Sequence, residues 1–247
     1  MGSASPITCT NTKADFGRER LVDWLDHVVL PHAGALARLS FFACVPHPLL
    51  VPAAERLRGS GVAAGAQDCA ATGDAVTGEV DAGLLAELGC RHVMLGHADR
   101  RRVFGEDDLL VARKAKAASA AGMTPLVCVG EADRVSAEVA ARHVAAQVGV
   151  AAGRLGRGRP VTILYEPIWA IGSRDGATPE HAAVVLRALK TETVGLDADF
   201  LYGGAVVPGT YTALRASADW DGVAIGRSAK DAGMLAEVAA ELLDGRR

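Results

Sequence analysis

Asn11, Lys13, His97 and Glu166 are residue types that together could move a proton beside a carbonyl, and each closely follows a short apolar run in this 247-residue chain. In such chemistry a carboxylate serves as base, an imidazole as electrophile toward the carbonyl oxygen, and a lysine as counter-charge for the oxyanion that develops. Asn11 is the only asparagine of the chain, and Lys13 is one of five lysines among 26 basic residues. Compositional bias explains why these types are rare elsewhere, but not why two of them share one three-residue loop. His97 has no His or Cys at ligand spacing, so neither a metal nor any other cofactor is demanded. Further along, Gly203-Gly204-Ala205 and Gly226-Arg227-Ser228 offer backbone N–H groups with little side-chain obstruction, a common way to hold phosphate. The chemistry implied is proton transfer on a small phosphorylated sugar with an enolisable carbonyl.

The elements that must position these residues are legible as an alternation of short β-branched or apolar runs with longer stretches of helical period. Strands are predicted at Pro6 to Thr10, Ser40 to Val45, Val62 to Gln67, His92 to Leu95, Thr124 to Val129, Val161 to Tyr165, Phe200 to Tyr202 and Gly222 to Ile225. Helices are predicted at Arg18 to Leu30, Pro48 to Arg58, Asp81 to Leu88, Asp107 to Ala121, Ala132 to Val150, Pro179 to Val194, Pro208 to Ser217 and Ala229 to Leu243. Thr178 with Pro179, and Asp107 with Asp108, mark helix starts, and Gly122 marks a stop. Eight βα units in this length fit a single α/β domain, a (β/α)8 barrel over residues 1–247, whose active residues lie just after the strands. An open doubly wound sheet is the competing architecture, but no Gly-rich fingerprint follows the first strand.

Composition narrows the partners. A formal charge of −3 gives no electrostatic reason to bind nucleic acid or an anionic membrane. The longest charge-free run, Leu39 to Ala54, carries three prolines and is too short to span a bilayer. The first six residues lack a basic region followed by an apolar block, and five cysteines without a CxxC pair read as buried thiols of a cytoplasmic protein. Cys128 reads as packing near the site, Asp99 and Glu131 as residues that orient neighbours, and Arg100 to Arg102 as a solvated helix turn. His92, His143 and His181 have no motif around them and read as surface or helix residues.

Ordered segments spanning nearly the whole chain resemble the triosephosphate isomerase family: Thr77-Gly78-Glu79, Gly96-His97-Ala98-Asp99-Arg100-Arg101, Thr124 to Glu131, Tyr165 to Gly172 and Tyr202-Gly203-Gly204. The resemblance implies a TIM barrel and an aldose–ketose isomerase with Glu166 as base and His97 as neutral electrophile. Lys13 would stabilise the enediolate, with Asn11 hydrogen-bonding beside it. It further implies a closing lid from Pro167 through Trp169 to Ser173 and a few residues beyond, and phosphate binding near Gly172, Gly204, Ala205, Gly226 and Arg227. A homodimer is implied as well, in which Thr77, in the loop Ala71 to Glu79, reaches the neighbouring subunit's site.

The departures from the family bear on substrate more than on reaction type. Its Asn-Trp-Lys reads Asn11-Thr12-Lys13, its Gly-His-Ser-Glu reads Gly96-His97-Ala98-Asp99, its Tyr-Gly-Gly-Ser ends in Ala205, and its second glycine after strand eight is Arg227. Arg227 could grip phosphate in two-pronged fashion or point outward. The leading reading is interconversion of dihydroxyacetone phosphate and D-glyceraldehyde 3-phosphate, a step of glycolysis and gluconeogenesis. The alternatives are a related isomerase acting on erythrulose phosphate, which shares Gly-Arg after strand eight, and a barrel that binds phosphosugars without turning them over.

Overall fold

The computed structural model describes residues 6–73, 75–173 and 175–245. Eight parallel strands close into a barrel in chain order: β1 (Ile7–Asn11), β2 (Phe42–Val45), β3 (Ala63–Ala66), β4 (His92–Leu95), β5 (Thr124–Val129), β6 (Pro160–Tyr165), β7 (Asp197–Tyr202) and β8 (Gly222–Ile225). β8 returns to β1 with Ile7 opposite Gly222 and Thr10 opposite Ile225. A Cβ at Gly222 would lie 1.7 Å from the Ile7 carbonyl oxygen, so the closure requires glycine there.

The period of two along each strand divides the interior into two cores. Ile7, Cys9, Phe42, Cys44, Met94, Leu126, Cys128, Leu164 and Leu201 fill the barrel. Alternate residues such as Val93, Leu95, Val127, Ile163 and Val223 face the helices and join a larger core with Leu21, Val144, Leu186 and Leu235. Burying a Leu or Val side chain is worth about 1.5–3 kcal/mol, so the helical ring is held chiefly by this outer core.

The helices are α1 (Arg18–Trp24), α2 (Ala33–Arg38), α3 (Leu50–Leu57), α4 (Ala82–Glu87), α5 (Ala98–Phe104), α6 (Asp108–Ala120), α7 (Ala137–Ala152), α8 (Pro179–Glu192), α9 (Thr210–Ser217) and α10 (Ala232–Asp244). The expected caps form: Thr178 Oγ1 accepts from the His181 N–H, Asp107 Oδ1 accepts from the Leu110 N–H, and Gly122 adopts φ 81° after α6. Three expectations need correction. The first helix does not run evenly to Leu30: it widens into a π turn at Leu25–Val29, tightens at Leu30–His32 and resumes as α2, because Pro31 has no N–H to continue the ladder. The fifth predicted helix starts at Ala137 rather than Ala132, because Ser136 caps it. α5 lies where no separate helix was drawn. Arg100 and Arg101 are part-buried in it, and their ion pairs rather than an apolar stripe hold it.

His92 is likewise neither a surface nor a helix residue. It opens β4 with its ring stacked 3.9 Å from that of Phe42, and burial pushes its imidazole down to about 4. No helix among the described residues is long and apolar enough to cross a membrane. The leader reading concerns residues 1–5, which lie outside the described residues.

Candidate active site

The carboxyl ends of β1, β6, β7 and β8 surround a cleft of about 600 Å³ lined by Asn11, Lys13, Glu166, Gly172, Ser173, Gly204, Ala205, Gly226 and Arg227, among others. Residues predicted on four separate loops thus meet on one rim, and His97, on a fifth, reaches them through its 3.6 Å approach to Glu166. Asn11 is the last residue of β1 rather than the first of its loop. Lys13, two residues on, adopts the left-handed φ of 51° that a lysine rarely takes. Its backbone N–H donates to Asn11 Oδ1 at 2.8 Å, which fixes the turn and aims the ammonium across the rim to Asp99 Oδ2 at 3.0 Å.

Gln67 is the residue that sequence reasoning passed over. Its amide donates to Asn11 Oδ1 at 2.9 Å, to the Lys13 carbonyl at 3.0 Å and to the Cys44 carbonyl at 3.2 Å, tying the strained turn to β2 and β3. The available signal was position: Gln67 is the one long polar side chain in its predicted strand, at the end where functional residues gather in this fold.

His97 caps α5. Its Nδ1 accepts the Asp99 N–H at 3.1 Å, so the ring proton resides on Nε2 in the neutral form. Burial first, then Lys13, pushes the imidazole down to about 4 against the opposing pull of Asp99. His97 is therefore an uncharged donor at neutral pH, and its 3.6 Å approach to Glu166 Oε2 through Nε2 is a contact of neutral imidazole with carboxyl rather than an ion pair.

Glu166 follows β6 directly, its N–H donating to the Val129 carbonyl at 2.8 Å. β5 can come this close only because residue 130 is glycine: a Cβ there would sit 2.0 Å from the Glu166 carbonyl oxygen. Burial pushes the Glu166 carboxyl up to about 7, with Lys13 pulling it down and Asp99 adding to the rise. Glu166 Oε2 is buried without a hydrogen-bond partner among the described residues. Most buried oxygens are satisfied, but one that must accept a proton from carbon has to be left open, since C–H groups make poor donors.

Pro167, Trp169 and Ser173 begin the segment over the cleft, and it is fastened at both ends. Trp169 Nε1 donates to Glu131 Oε1 at 2.7 Å with the Arg134 guanidinium over its ring, and the Ala177 N–H donates to the Tyr202 hydroxyl at 2.8 Å. Glu131 also accepts from the Tyr165 hydroxyl at 3.1 Å, so this carboxylate anchors the start of the segment. Gly172 turns the chain at φ 76°. Residue 174, within the expected lid, lies outside the described residues. Thr77 is exposed and lines a separate surface pocket with Val76 and Glu79. Cys128 is buried beside the site, its thiol pushed well up by burial, so it is no nucleophile at neutral pH. Among the described residues no group of His, Cys, Asp and Glu is arranged to hold a metal.

Arg100 and Arg101 are not a solvated turn. Arg100 pairs with Glu106 at 2.7 Å and Asp68 at 2.8 Å, and Arg101 pairs with Asp108 at 2.6 Å and donates to the Gly96 carbonyl at 2.8 Å. Only Arg102 is largely exposed.

Comparison with known proteins gives a concordant picture. The family model described as triosephosphate isomerase matches residues 6–242. The chain is 42% identical over 204 residues to a triosephosphate isomerase of Thiobacillus denitrificans, covering 78% of this chain and 82% of the relative. It is 40% identical over 217 residues to that of Bordetella pertussis, covering 84% and 86%. It is 43% identical over 195 residues to that of Herpetosiphon aurantiacus, covering 74% and 78%.

Proposed function

The chain belongs to the triosephosphate isomerase family, and we propose that it interconverts dihydroxyacetone phosphate and D-glyceraldehyde 3-phosphate with Glu166 as the proton carrier and His97 and Lys13 as the electrophiles. A carboxylate base beside a neutral imidazole is the established pairing of this very enzyme, so the reading applies known chemistry to these residues. Glu166 removes a proton from C1 of the ketone, and the C–H electrons form the C1–C2 double bond of the enediolate. Negative charge gathers on the C2 oxygen, within reach of the His97 Nε2–H and the Lys13 ammonium. A proton passes from the C1 hydroxyl to the C2 oxygen by way of His97, and Glu166 returns its own proton to C2. Backbone N–H groups around Gly172, Gly204, Ala205 and Gly226 hold the phosphate, and the lid keeps water from the enediolate.

The observation that carries this reading is the buried, unpartnered Glu166 Oε2 facing a histidine whose Nδ1 is already engaged. A pure binding protein has no use for an open, half-ionised carboxylate at the floor of its cleft.

The same reading takes residues 1–247 as one domain, supported by the pairing of β1 with β8, near the two ends of the chain. It takes the protein as cytoplasmic, supported by five buried free cysteines. It also takes the protein as a homodimer in which Thr77 enters a partner. Support comes from the exposed Val76 beside Thr77 and from a groove next to Lys13 and His97, walled by Pro46, Pro48 and the 68% exposed Phe104.

The test is a coupled assay with glyceraldehyde 3-phosphate, dihydroxyacetone phosphate and the erythrulose phosphates, with Glu166→Gln as the blank. Turnover of the trioses that vanishes in the blank is the expected result. A tenfold or greater preference for a four-carbon substrate would overturn the substrate assignment.

A further inference from the structure

Arg227 occupies the phosphate side of the cleft, and its contacts suit neither a passive surface residue nor a simple counter-charge. Its Nη2 donates to two consecutive lid carbonyls, Gly172 at 3.1 Å and Ser173 at 3.2 Å. The turn at Gly172 brings both oxygens to one nitrogen, 54 and 55 residues away in sequence. Among the described residues three cations line the cleft. Lys13 is held by Asp99 and Lys230 by Asp15, whereas Arg227 has no carboxylate partner among the described residues. Nearby, residue 205 is alanine, and the Ser228 hydroxyl is buried and spent on the Val206 carbonyl at 2.8 Å.

We infer that Arg227 is a latch that couples phosphate binding to lid position, one nitrogen holding the lid backbone at Gly172 and Ser173 while its remaining N–H groups grip the substrate's phosphate. This rests on the cleft being the phosphosugar site proposed above. A guanidinium suits action in both directions at fixed geometry, because its five donors are spread over three nitrogens in one rigid plane, whereas the three donors of a lysine share one nitrogen on a flexible stem. The coupling is reciprocal: a lid held by Arg227 orients the guanidinium for the anion, and a bound anion fixes the guanidinium against the lid.

The test uses inorganic phosphate as probe, read by inhibition of turnover and by Trp169 fluorescence, with Trp169→Phe as the spectral blank since Trp24 and Trp220 are buried elsewhere in the core. In the unmodified enzyme phosphate is expected to shift Trp169 emission. Arg227→Ala should weaken phosphate binding about tenfold, raise KM more than it lowers kcat, and abolish the shift, with free guanidinium ion restoring part of the binding. Arg227→Lys keeps the charge, so it should bind phosphate within about threefold of the unmodified enzyme yet lose the shift. Arg227→Lys showing the full shift, or Arg227→Ala binding phosphate as tightly as the unmodified protein, would overturn the latch. If Arg227→Ala does not fold, the lysine variant alone decides. Phosphate binding needs no base, so Glu166→Gln should retain both affinity and shift. Activity surviving in Glu166→Gln would defeat the proposed base while leaving the latch standing.

Discussion

Two clusters of buried charge lie a few residues apart near the rim, and the protein treats them in opposite ways. In the first, Lys114 on α6 reaches Asp68 at 2.7 and 2.8 Å and Glu106 at 2.5 Å, while Arg100 bridges the same two carboxylates. Two cations meet two anions, and of their atoms only Glu106 Oε2 is left buried without a partner. Burial raises the Asp68 carboxyl and the Lys114 bonds pull it back. In the second cluster, Glu166 has no cation in bonding contact, burial carries it to about 7, and His97 is kept neutral beside it. The paired cluster fixes α5 and α6 behind the rim. The unpaired one keeps its proton affinity near the operating pH, at a cost in stability. Reaction and rigidity are thus assigned to different charges.

If that division holds, substitutions in the two clusters should separate activity from stability. The largest effect is expected at Glu166→Gln, where kcat should fall by about 10²–10⁴-fold, the contribution of general-base catalysis, since the amide cannot accept the proton. The coupled assay reads this directly. Next, Lys114→Met should lower unfolding free energy by about 3–5 kcal/mol by leaving two buried carboxylates to share the single charge of Arg100, as denaturant titration would show. The kcat of its folded fraction should change far less than in Glu166→Gln. Comparable losses of kcat in both variants would erase the distinction.

A smaller effect of opposite sign is expected for the stability of Glu166→Gln. The native carboxyl keeps its proton up to about 7, against an ordinary value of 4.5. Below pH 4.5 it is protonated in both folded and unfolded chains, and the stabilising influence of the raised value is fully present. That influence is lost as pH rises through 7, where the native state must ionise a buried acid at a cost of roughly 3 kcal/mol. Thermal unfolding should therefore show Glu166→Gln more stable than the unmodified protein at pH 8, with the difference shrinking toward pH 4.5. The same ionisation predicts that kcat/KM of the unmodified enzyme falls about tenfold per unit as pH drops below 7. The smallest effect is expected at Gln67→Ala. It loosens the strained turn without removing a reacting group, so kcat should fall about tenfold with little change in melting temperature.

Much of this was written in the sequence because it is local. Strands β4, β5 and β8 fall at their predicted residues, and each of Asn11, Lys13, His97 and Glu166 could be placed on one rim from the rule that barrel sites follow strands. Caps at Thr178 and Asp107 carry their own chemistry within four residues. What escaped depends on partners far along the chain. Arg100 and Arg101 read as solvated until Asp68, Glu106 and Asp108 are seen beside them, and α5 shows no apolar stripe because those pairs replace it. Gln67 gave only its position, since its partners, Asn11 and the Cys44 carbonyl, come from other strands. Arg227 stood as either a phosphate ligand or an outward side chain. Its bonds to the lid carbonyls arise only when β6 and β8 close into one barrel.

The central claim is that Glu166 is left unsatisfied so that it can carry a proton between two carbons. Proton NMR of dihydroxyacetone phosphate in D₂O tests it without a coupling enzyme. With the unmodified protein, deuterium should enter C1 of dihydroxyacetone phosphate and C2 of glyceraldehyde 3-phosphate, and with Glu166→Gln both signals should persist undiminished over the same time. Exchange at an unchanged rate in Glu166→Gln would contradict the account, because the proton would then be moved by some other group.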